Sequence, residues 1–255
     1  MSGAVPDTAL FEYLLRLGDT NLVLGHRLSE WCGHGPAPEE DLALANIALD
    51  LIGQARMLLQ YAGTVEGLGR SEDDLAYLRD GRDYRNLLLA EQPNGHYGDT
   101  IVRQFLFDAF AVELWSDLTR SGDAQLAAIA AKAVKEHQYH WRHSSGWIVR
   151  LGDGTDESHA KMQASLERLW PYTGEMLSAD AVDEAMRDAR IGPDLLAVAP
   201  RWSSRVSAVL AEATLTRPED GWMQQGGKSG RHSEHLGHLL AEMQSVHRAY
   251  PGASW

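Results

Sequence analysis

Apolar residues recur at helical spacing along most of this 255-residue chain, and the strict alternation typical of strands is absent. The first pattern covers residues 8–32. Its main row is Leu10, Leu14, Leu17, Asn21, Leu24, Leu28 and Trp31. Steps of three and four residues lie on one helix face, so the row predicts an amphipathic helix with Asn21 as its single polar member. Gly33, Gly35 and Pro36 predict where this helix stops.

The second pattern, residues 39–62, is apolar on most sides of the predicted helix. Such a helix is expected to be buried on most sides. Its polar exceptions are Asn46, Asp50 and Gln54, which follow one another at four-residue intervals. We expect these three side chains to point inward together or to line a contact with another chain.

Two more long helices are predicted at residues 99–120 and 123–151. The first has Ile101, Phe105, Asp108, Val112 and Trp115 on one face, and the second has Ile129, Ala133, Glu136, His140 and Trp147. Short turns join helices one to two and three to four, and a long crossover, with short helices predicted near 74–79 and 86–91, joins the two pairs. This connectivity is ferritin-like.

Further helices are predicted at 157–177, 179–189, 194–215 and 233–249. The predicted fold class is therefore all-α. We expect a ferritin-like four-helix bundle with additional C-terminal helices at about 155–250, forming a single domain over residues 1–255.

Each of the four long helices carries one polar group within an apolar face: Asn21, Asp50, Asp108 and Glu136. A di-iron bundle supplies Glu-x-x-His from two helices and one more Glu from each of the other two. The two places to look read Asp50-Leu51-Ile52-Gly53 and Glu136-His137-Gln138-Tyr139. Both keep a carboxylate and both lack the histidine three residues on. The sequence thus predicts vestigial bundle-centre positions, with no catalytic residue, no bound cofactor and no metal in this chain.

Buried carboxylates without a metal need another partner, because an isolated charge in a dry core costs several kcal/mol. Lys132 lies one turn before Glu136, and we hypothesise that its ammonium replaces the charge of the metal. His140, one turn after Glu136, is a second candidate partner. The alternative left open is an independent di-metal oxygenase or oxidase using Asp50, Asp108, Glu136 and His140 in an atypical ligand set.

A second group of candidate ligands is His232-Ser233-Glu234-His235-Leu236-Gly237-His238. His235 and His238 have the i, i+3 spacing that binds transition metals on a helix, so a metal-storage or metal-sensing protein is a third hypothesis. We favour helix capping by Ser233 and ordinary packing. The preceding Gly226-Gly227-Lys228-Ser229-Gly230 lacks the spacing of a phosphate loop and is expected to be a flexible linker.

Charge and cysteine content narrow the class of partner and the compartment. The formal net charge of −13 argues against nucleic acid, whose phosphates the chain would repel. Cys32 is the single cysteine, so no intrachain disulfide forms; we expect a buried, inert thiol in a reducing compartment. No basic-then-apolar leader and no apolar stretch of about 20 residues is evident. A soluble cytoplasmic protein, not bound to a membrane, is the expectation.

Several stretches, taken in their order and spacing, resemble one known family. They are Leu24-Gly25-His26-Arg27-Leu28-Ser29-Glu30-Trp31-Cys32-Gly33-His34, Leu49-Asp50-Leu51-Ile52-Gly53-Gln54-Ala55-Arg56, Glu91-Gln92-Pro93-Asn94-Gly95, Ala131-Lys132-Ala133-Val134-Lys135-Glu136, Gly152-Asp153-Gly154-Thr155-Asp156, and the tail from Gly226 through His232-Ser233-Glu234-His235-Leu236 to Glu242-Met243-Gln244. Over essentially its whole length the chain is similar to the PaaC family, the structural, non-catalytic subunits of bacterial ring-1,2-phenylacetyl-CoA epoxidase.

The resemblance implies a ferritin-like subunit that pairs with a homologous catalytic subunit holding the di-iron centre. In phenylacetate degradation that monooxygenase complex epoxidises the aromatic ring of phenylacetyl-CoA with dioxygen, and a flavin and iron–sulfur reductase and accessory subunits complete it. The resemblance carries no catalytic ligand over to this chain. A homodimer of the isolated chain is one state left open.

Overall fold

A computed structural model describes residues 7–253 of the chain, which are helices, turns and loops with no strand among them. Their contacts divide the chain into two compact units. The first takes in residues up to Gln92 together with those from Gly226 onward, and the second is Pro93–Gln225.

The first unit is built on a pair of long helices, α1 (Asp7–Ser29) and α2 (Pro38–Glu66). Pro at the first position and three acidic residues in the first turn favour the start of α2 where it is observed. The turn between the helices is held by Asp41, whose Oδ2 accepts the N–H groups of Gly33 at 2.7 Å and Gly35 at 3.1 Å. The turn is short, so α1 and α2 form an antiparallel hairpin. Cys32, which was expected to be buried, lies exposed in this turn because α1 ends at Ser29.

Close packing of α1 on α2 depends on glycine. A Cβ added at Gly25 would lie 2.9 Å from Ile52 Cγ1, which is closer than real Cβ atoms pack, and 3.2 Å from the Ala48 carbonyl oxygen, which is a tight contact. Gly53 on α2 is different, because an added Cβ there meets no atom within 4 Å. The absence of a side chain at Gly25 therefore allows the backbones of α1 and α2 to approach closely. Gly53 is not needed for such an approach.

α2 is an exception to the expectation that no stretch is apolar enough to cross a membrane. Among residues 7–253 it alone meets that criterion by length and composition, with a mean hydropathy of 1.4 over an 18-residue window. Its buried row packs on α1, as in the core helix of a globular unit: Leu44, Ile47, Ala48, Leu51, Gln54, Ala55, Leu58, Leu59, Ala62 and Gly63.

The remainder of the first unit packs short elements around this hairpin. They are α3 (Glu72–Tyr77), a 3-10 turn at Gly81–Asp83, a second at Gly227–Ser229, α10 (Glu234–Met243) and α11 (Ser245–Ala249). The segment 226–230, expected to be a flexible linker, is instead a hydrogen-bonded turn in which the Gly226 carbonyl accepts from the N–H groups of Ser229 and Arg231.

The short helix predicted at 86–91 is wrong. The backbone groups that a helix would use internally bond to α1: the Leu87 N–H donates to Thr20 Oγ1 at 3.1 Å, and the Glu91 carbonyl accepts from Arg27 at 3.0 and 3.2 Å. The segment forms turns, with backbone bonds from Ala90 to Leu87 and from Gln92 to Leu89, and α1 side chains bind the Leu87 N–H and the Glu91 carbonyl.

The second unit is built on α4 (Tyr97–Leu118), which is buried along almost all of its length, and α5 (Ala124–Gly152). Around them lie α6 (Asp156–Leu169), α7 (Gly174–Leu177), α8 (Ala181–Asp188) and α9 (Leu195–Glu212). The single helix predicted at 157–177 is interrupted by a 3-10 turn at Trp170–Tyr172, because Pro171 has no N–H for the α-helical ladder.

Each unit thus contributes one long antiparallel pair, in the chain order pair, crossover, pair. The predicted all-α, ferritin-like fold class is confirmed in its elements and their order. That the whole chain forms a single domain stays a prediction.

Candidate metal centre

The buried face of α5 passes through His137, not through the predicted Glu136. The positions fully buried on this helix follow steps of one, three and four residues: Leu126, Ile129, Ala130, Ala133, His137, His140, Ser144, Ile148 and Gly152. The predicted face is therefore right at Ile129, Ala133 and His140 and wrong at Glu136 and Trp147, which are only partly buried. From Ala133 a step of three and a step of four both continue a helical face, and the packing against α4 selects the step of four.

Asp108 lies at the centre of the predicted α4 face, and burial of that face is confirmed. Its carboxylate is inaccessible to solvent. Gln104, one turn earlier on α4, donates from Nε2 to Oδ1 at 2.7 Å, and Ser144 of α5 donates from Oγ to Oδ2 at 2.7 Å. One neutral donor from each helix therefore fixes the orientation of this carboxylate.

Two imidazoles of α5 converge on Asp108. Nδ1 of His137 lies 4.0 Å from Asp108 Oδ1, and the rings of His137 and His140 meet edge to face with centroids 5.0 Å apart. One possible ligand atom from each of the three side chains lies within 4.8 Å of the other two. All three residues are fully buried.

Aromatic rings enclose the cluster and lower the local dielectric constant. Trp115 stacks on His137 with centroids 6.1 Å apart, and Phe107 meets the same imidazole edge to face at 5.9 Å. In such surroundings an ionised carboxylate needs either an opposite charge or strong donors.

Asp108 differs in this respect from other buried carboxylates on the long helices. Asp19 pairs with Arg79, Asp99 with Arg168, and Glu113 with Arg205. Asp108 is held by neutral donors and faces two imidazoles instead. Two imidazole nitrogens and a carboxylate oxygen form a donor set suited to zinc, iron and related divalent ions.

The di-iron centre of ferritin-like proteins does not fit these residues. On α2, Leu51 and Gln54 belong to the buried row, while Asp50 is only partly buried and Asn46 is exposed. The polar stripe predicted at Asn46, Asp50 and Gln54 thus does not point inward as a group. On α1, Asn21 is buried and donates from Nδ2 to Gln54 Oε1 at 3.2 Å. An amide–amide hydrogen bond occupies positions where a di-iron protein needs carboxylate and imidazole.

Lys132 pairs with Glu136 as the sequence suggested, but that it replaces the charge of a metal stays a prediction. Its side chain is 60% exposed, and Nζ lies 3.5 Å from Oε1 of Glu136, whose side chain is 16% exposed, in an i, i+4 pair. The ammonium remains solvated because position 132 falls outside the buried face.

The histidine cluster near the C-terminus serves to fix the start of α10. Nδ1 of His232 lies 2.8 Å from Oε2 of the fully buried Glu91, and Nε2 lies 3.0 Å from the Tyr84 carbonyl oxygen. Ser233 is the N-cap residue as predicted, yet its hydroxyl makes no capping bond; Glu91 Oε1 accepts the Ser233 N–H at 2.6 Å instead. His238 is exposed, and nothing in residues 7–253 gathers His232, His235 and His238 into one ligand set.

Sequence reasoning missed His137, Ser144 and Gln104 as parts of the buried site. A usable signal was present, because His137-Gln138-Tyr139-His140 has the i, i+3 spacing of a metal-binding helix and lies inside the stretch already singled out. The search for Glu-x-x-His started at Glu136, so the His137-x-x-His140 spacing one residue later was overlooked.

An all-α chain of ferritin-like helix order defines the class of this protein. Residues 2–255 match the family model described as phenylacetic acid catabolic protein, and the chain belongs to that family. The family resemblance seen in the sequence is confirmed. A curated relative from Escherichia coli (strain K12), named as a subunit of 1,2-phenylacetyl-CoA epoxidase, is 52% identical over 246 residues, which are 96% of this chain and 99% of the relative.

Proposed function

We propose that this chain is the non-catalytic, structural subunit of a ring-1,2-phenylacetyl-CoA epoxidase. In aerobic phenylacetate catabolism it binds and supports a homologous subunit that holds the di-iron centre, and the reductase and accessory subunits complete the complex in the cytoplasm. Support for membership of the complex comes from the family match and from the relative named as an epoxidase subunit, with which the alignment spans nearly the full length of both chains.

The observation that carries the non-catalytic role is the composition of the buried positions. A dinuclear iron site needs carboxylates that bridge two metals and imidazoles from two different helices. Within residues 7–253, the cluster joins one carboxylate, that of Asp108, to two imidazoles that both come from α5. On α1 and α2 the corresponding polar pair, Asn21 and Gln54, consists of neutral amides. Such a set favours a scaffold over an oxygen-activating enzyme.

The independent di-metal oxygenase remains the alternative, but the positions of its proposed ligands weigh against it. Glu136 is paired with the exposed Lys132, and Asp50 is half-buried on α2. Asp108 and His140 are the two members that the second unit brings together.

The test is reconstitution with the catalytic homologue. The tagged full-length chain, the catalytic subunit and the two together are each supplied with the reductase, and epoxidation of phenylacetyl-CoA is measured alongside co-elution. We expect turnover from the pair and none from this chain alone. Epoxidation by this chain alone, or full turnover by the catalytic subunit without it, would overturn the proposal.

A further inference from the structure

We propose that Asp108, His137 and His140 bind a single divalent transition-metal ion, of the zinc class, that cross-links α4 to α5. The inference goes beyond the scaffold role and does not depend on it. It also replaces, at this one position, the sequence-based prediction that the chain holds no metal.

The donor chemistry supports this assignment. Two neutral imidazoles and one carboxylate are a common set for a mononuclear zinc or iron(II) ion, and the i, i+3 spacing of His137 and His140 puts both rings on one side of α5. An ion about 2.1 Å from each ligand places the ligand atoms about 3.4 Å apart. The observed separations of up to 4.8 Å require side-chain adjustments of about an ångström or somewhat more.

The residues around the ligands are arranged as they are around known metal sites. Metal-ligating carboxylates are usually held by further hydrogen bonds, and Ser144 and Gln104 hold both oxygens of Asp108. Gln104 also offers a fourth ligand: its Oε1 is buried and accepts no hydrogen bond within residues 7–253, although its Nε2 is bonded to Asp108. Buried polar atoms are rarely left in this state, so the amide oxygen is available to an ion.

The charge balance points in the same direction. Asp19, Asp99 and Glu113 each have an arginine, whereas Asp108 accepts hydrogen bonds from the neutral side chains of Gln104 and Ser144. A divalent ion at Asp108 would supply the positive charge that arginine supplies elsewhere. Three ligand residues, with Gln104 as a fourth, are enough for one ion and too few for two, so we infer a mononuclear site suited to a structural role.

The proposal is tested with cobalt(II), a spectroscopic probe for zinc sites. Because all three ligands are buried, the full-length chain is refolded from urea with one equivalent of Co²⁺ and desalted; bound metal and the visible d–d absorption are then measured. We expect about one cobalt per chain with the intense absorption of a four-coordinate site. The melting temperature should rise on loading, because the ion binds the folded state alone.

Three variants and one control decide whether the cobalt is at this site. His137→Ala and His140→Ala should lose it, and His238→Ala, which removes an exposed imidazole, should keep it. Ser144→Ala retains all three ligands and should weaken affinity about 10–100-fold by releasing Asp108. Circular dichroism on each refolded variant separates loss of ligand from loss of fold, and Ser144→Ala provides a test where a histidine variant fails to fold.

Cobalt at background in the wild-type chain would overturn the proposal. So would cobalt retained by the folded His137→Ala/His140→Ala double variant, or an unchanged affinity in Ser144→Ala. Two metals per chain would also overturn it, since that stoichiometry requires a dinuclear site. None of these results alters the outcome of the reconstitution with the catalytic subunit.

Discussion

His232 is joined to Glu91 across 141 positions of sequence, with Nδ1 2.8 Å from a carboxylate oxygen that is fully buried. The same carboxylate accepts the N–H of Ser233 at the start of α10. One ion pair therefore anchors the C-terminal segment of the first unit to the loop that follows α3.

This pair predicts a pH-dependent contribution to stability. Burial alone lowers the pKa of His232, but hydrogen bonds to Glu91 and to the Tyr84 carbonyl outweigh it, and the pKa is raised above its ordinary value of 6.5. A raised pKa in the folded state means that the stabilisation is complete below the unfolded value and is lost as pH rises through the folded pKa. The melting temperature of the wild type relative to His232→Gln should therefore be highest near pH 6 and decline toward about pH 9.

The control for this experiment is His238→Gln, which removes an exposed histidine from the same region. Its melting temperature should follow the wild type at every pH. A difference between wild type and His232→Gln that stays constant, or grows, as pH rises would contradict the assignment of the charge to this pair.

Arg79 and Asp19 form a buried ion pair in the first unit, with Asp19 inaccessible to solvent. Removing the cation leaves a carboxylate that accepts, in addition, the N–H of Arg85 at 2.8 Å. Arg79→Met should lower the free energy of unfolding by about 3–5 kcal/mol, measured by urea denaturation. Lys161→Met, which breaks an exposed pair with Glu157, serves as the control and should change the free energy of unfolding far less, because both groups are solvated. Equal effects of the two substitutions would contradict the burial of the Arg79 pair.

Lys132→Met tests whether this lysine supports the buried cluster. The Lys132 side chain is 60% exposed, so we expect the loss to be that of one i, i+4 pair with a solvated ammonium, about 0.2–0.5 kcal/mol in the free energy of unfolding. A loss of several kcal/mol would contradict this expectation and would show that the ammonium compensates buried carboxylates.

Gly25 and Gly53 should respond in opposite ways to alanine. Gly25→Ala forces a Cβ against Ile52 and the Ala48 carbonyl, so unfolding free energy should fall by about 1–3 kcal/mol. Gly53→Ala adds a methyl group where no atom lies within 4 Å and replaces a residue that weakens helices. Its free energy of unfolding should therefore rise by up to about 1 kcal/mol. Paired urea denaturation curves check both. A stabilised Gly25→Ala variant would contradict the close approach of α1 to α2.

Much of the fold follows from the sequence because long helices leave a strong periodic signal. The four long helices were predicted within a few residues of their observed ends, and the α4 face that contains Asp108 was predicted in full. The sequence did not predict which face of α5 is buried. Glu136 and His137 are neighbours on the helix, and only the tertiary packing shows that His137 is the fully buried one. Tertiary contacts also decide the structure of residues 86–91, for which local propensity predicts a helix. There Thr20 accepts the Leu87 N–H, and Arg27 donates to the Glu91 carbonyl.

The buried site was predictable in part. Asn21, Asp108 and His140 were singled out, and all three are buried. The search for Glu-x-x-His at Glu136 drew attention away from His137 and His140, which have the spacing of two metal ligands on one helix. Gln104 and Ser144 gave no signal, since an amide and a hydroxyl on a helix resemble any surface residue until the helix is placed against its neighbour.

The measurement that tests the central claim most directly is epoxidation by a complex whose copy of this chain carries Asp108→Asn and His137→Gln. If this subunit is non-catalytic, a variant complex that still co-elutes, with the iron content of its catalytic subunit unchanged, should turn over phenylacetyl-CoA at a rate within about twofold of wild type, whereas losing a catalytic acid–base group typically costs about 10²-fold or more. A fall of that size in an intact complex would contradict the account and make these residues part of the reaction.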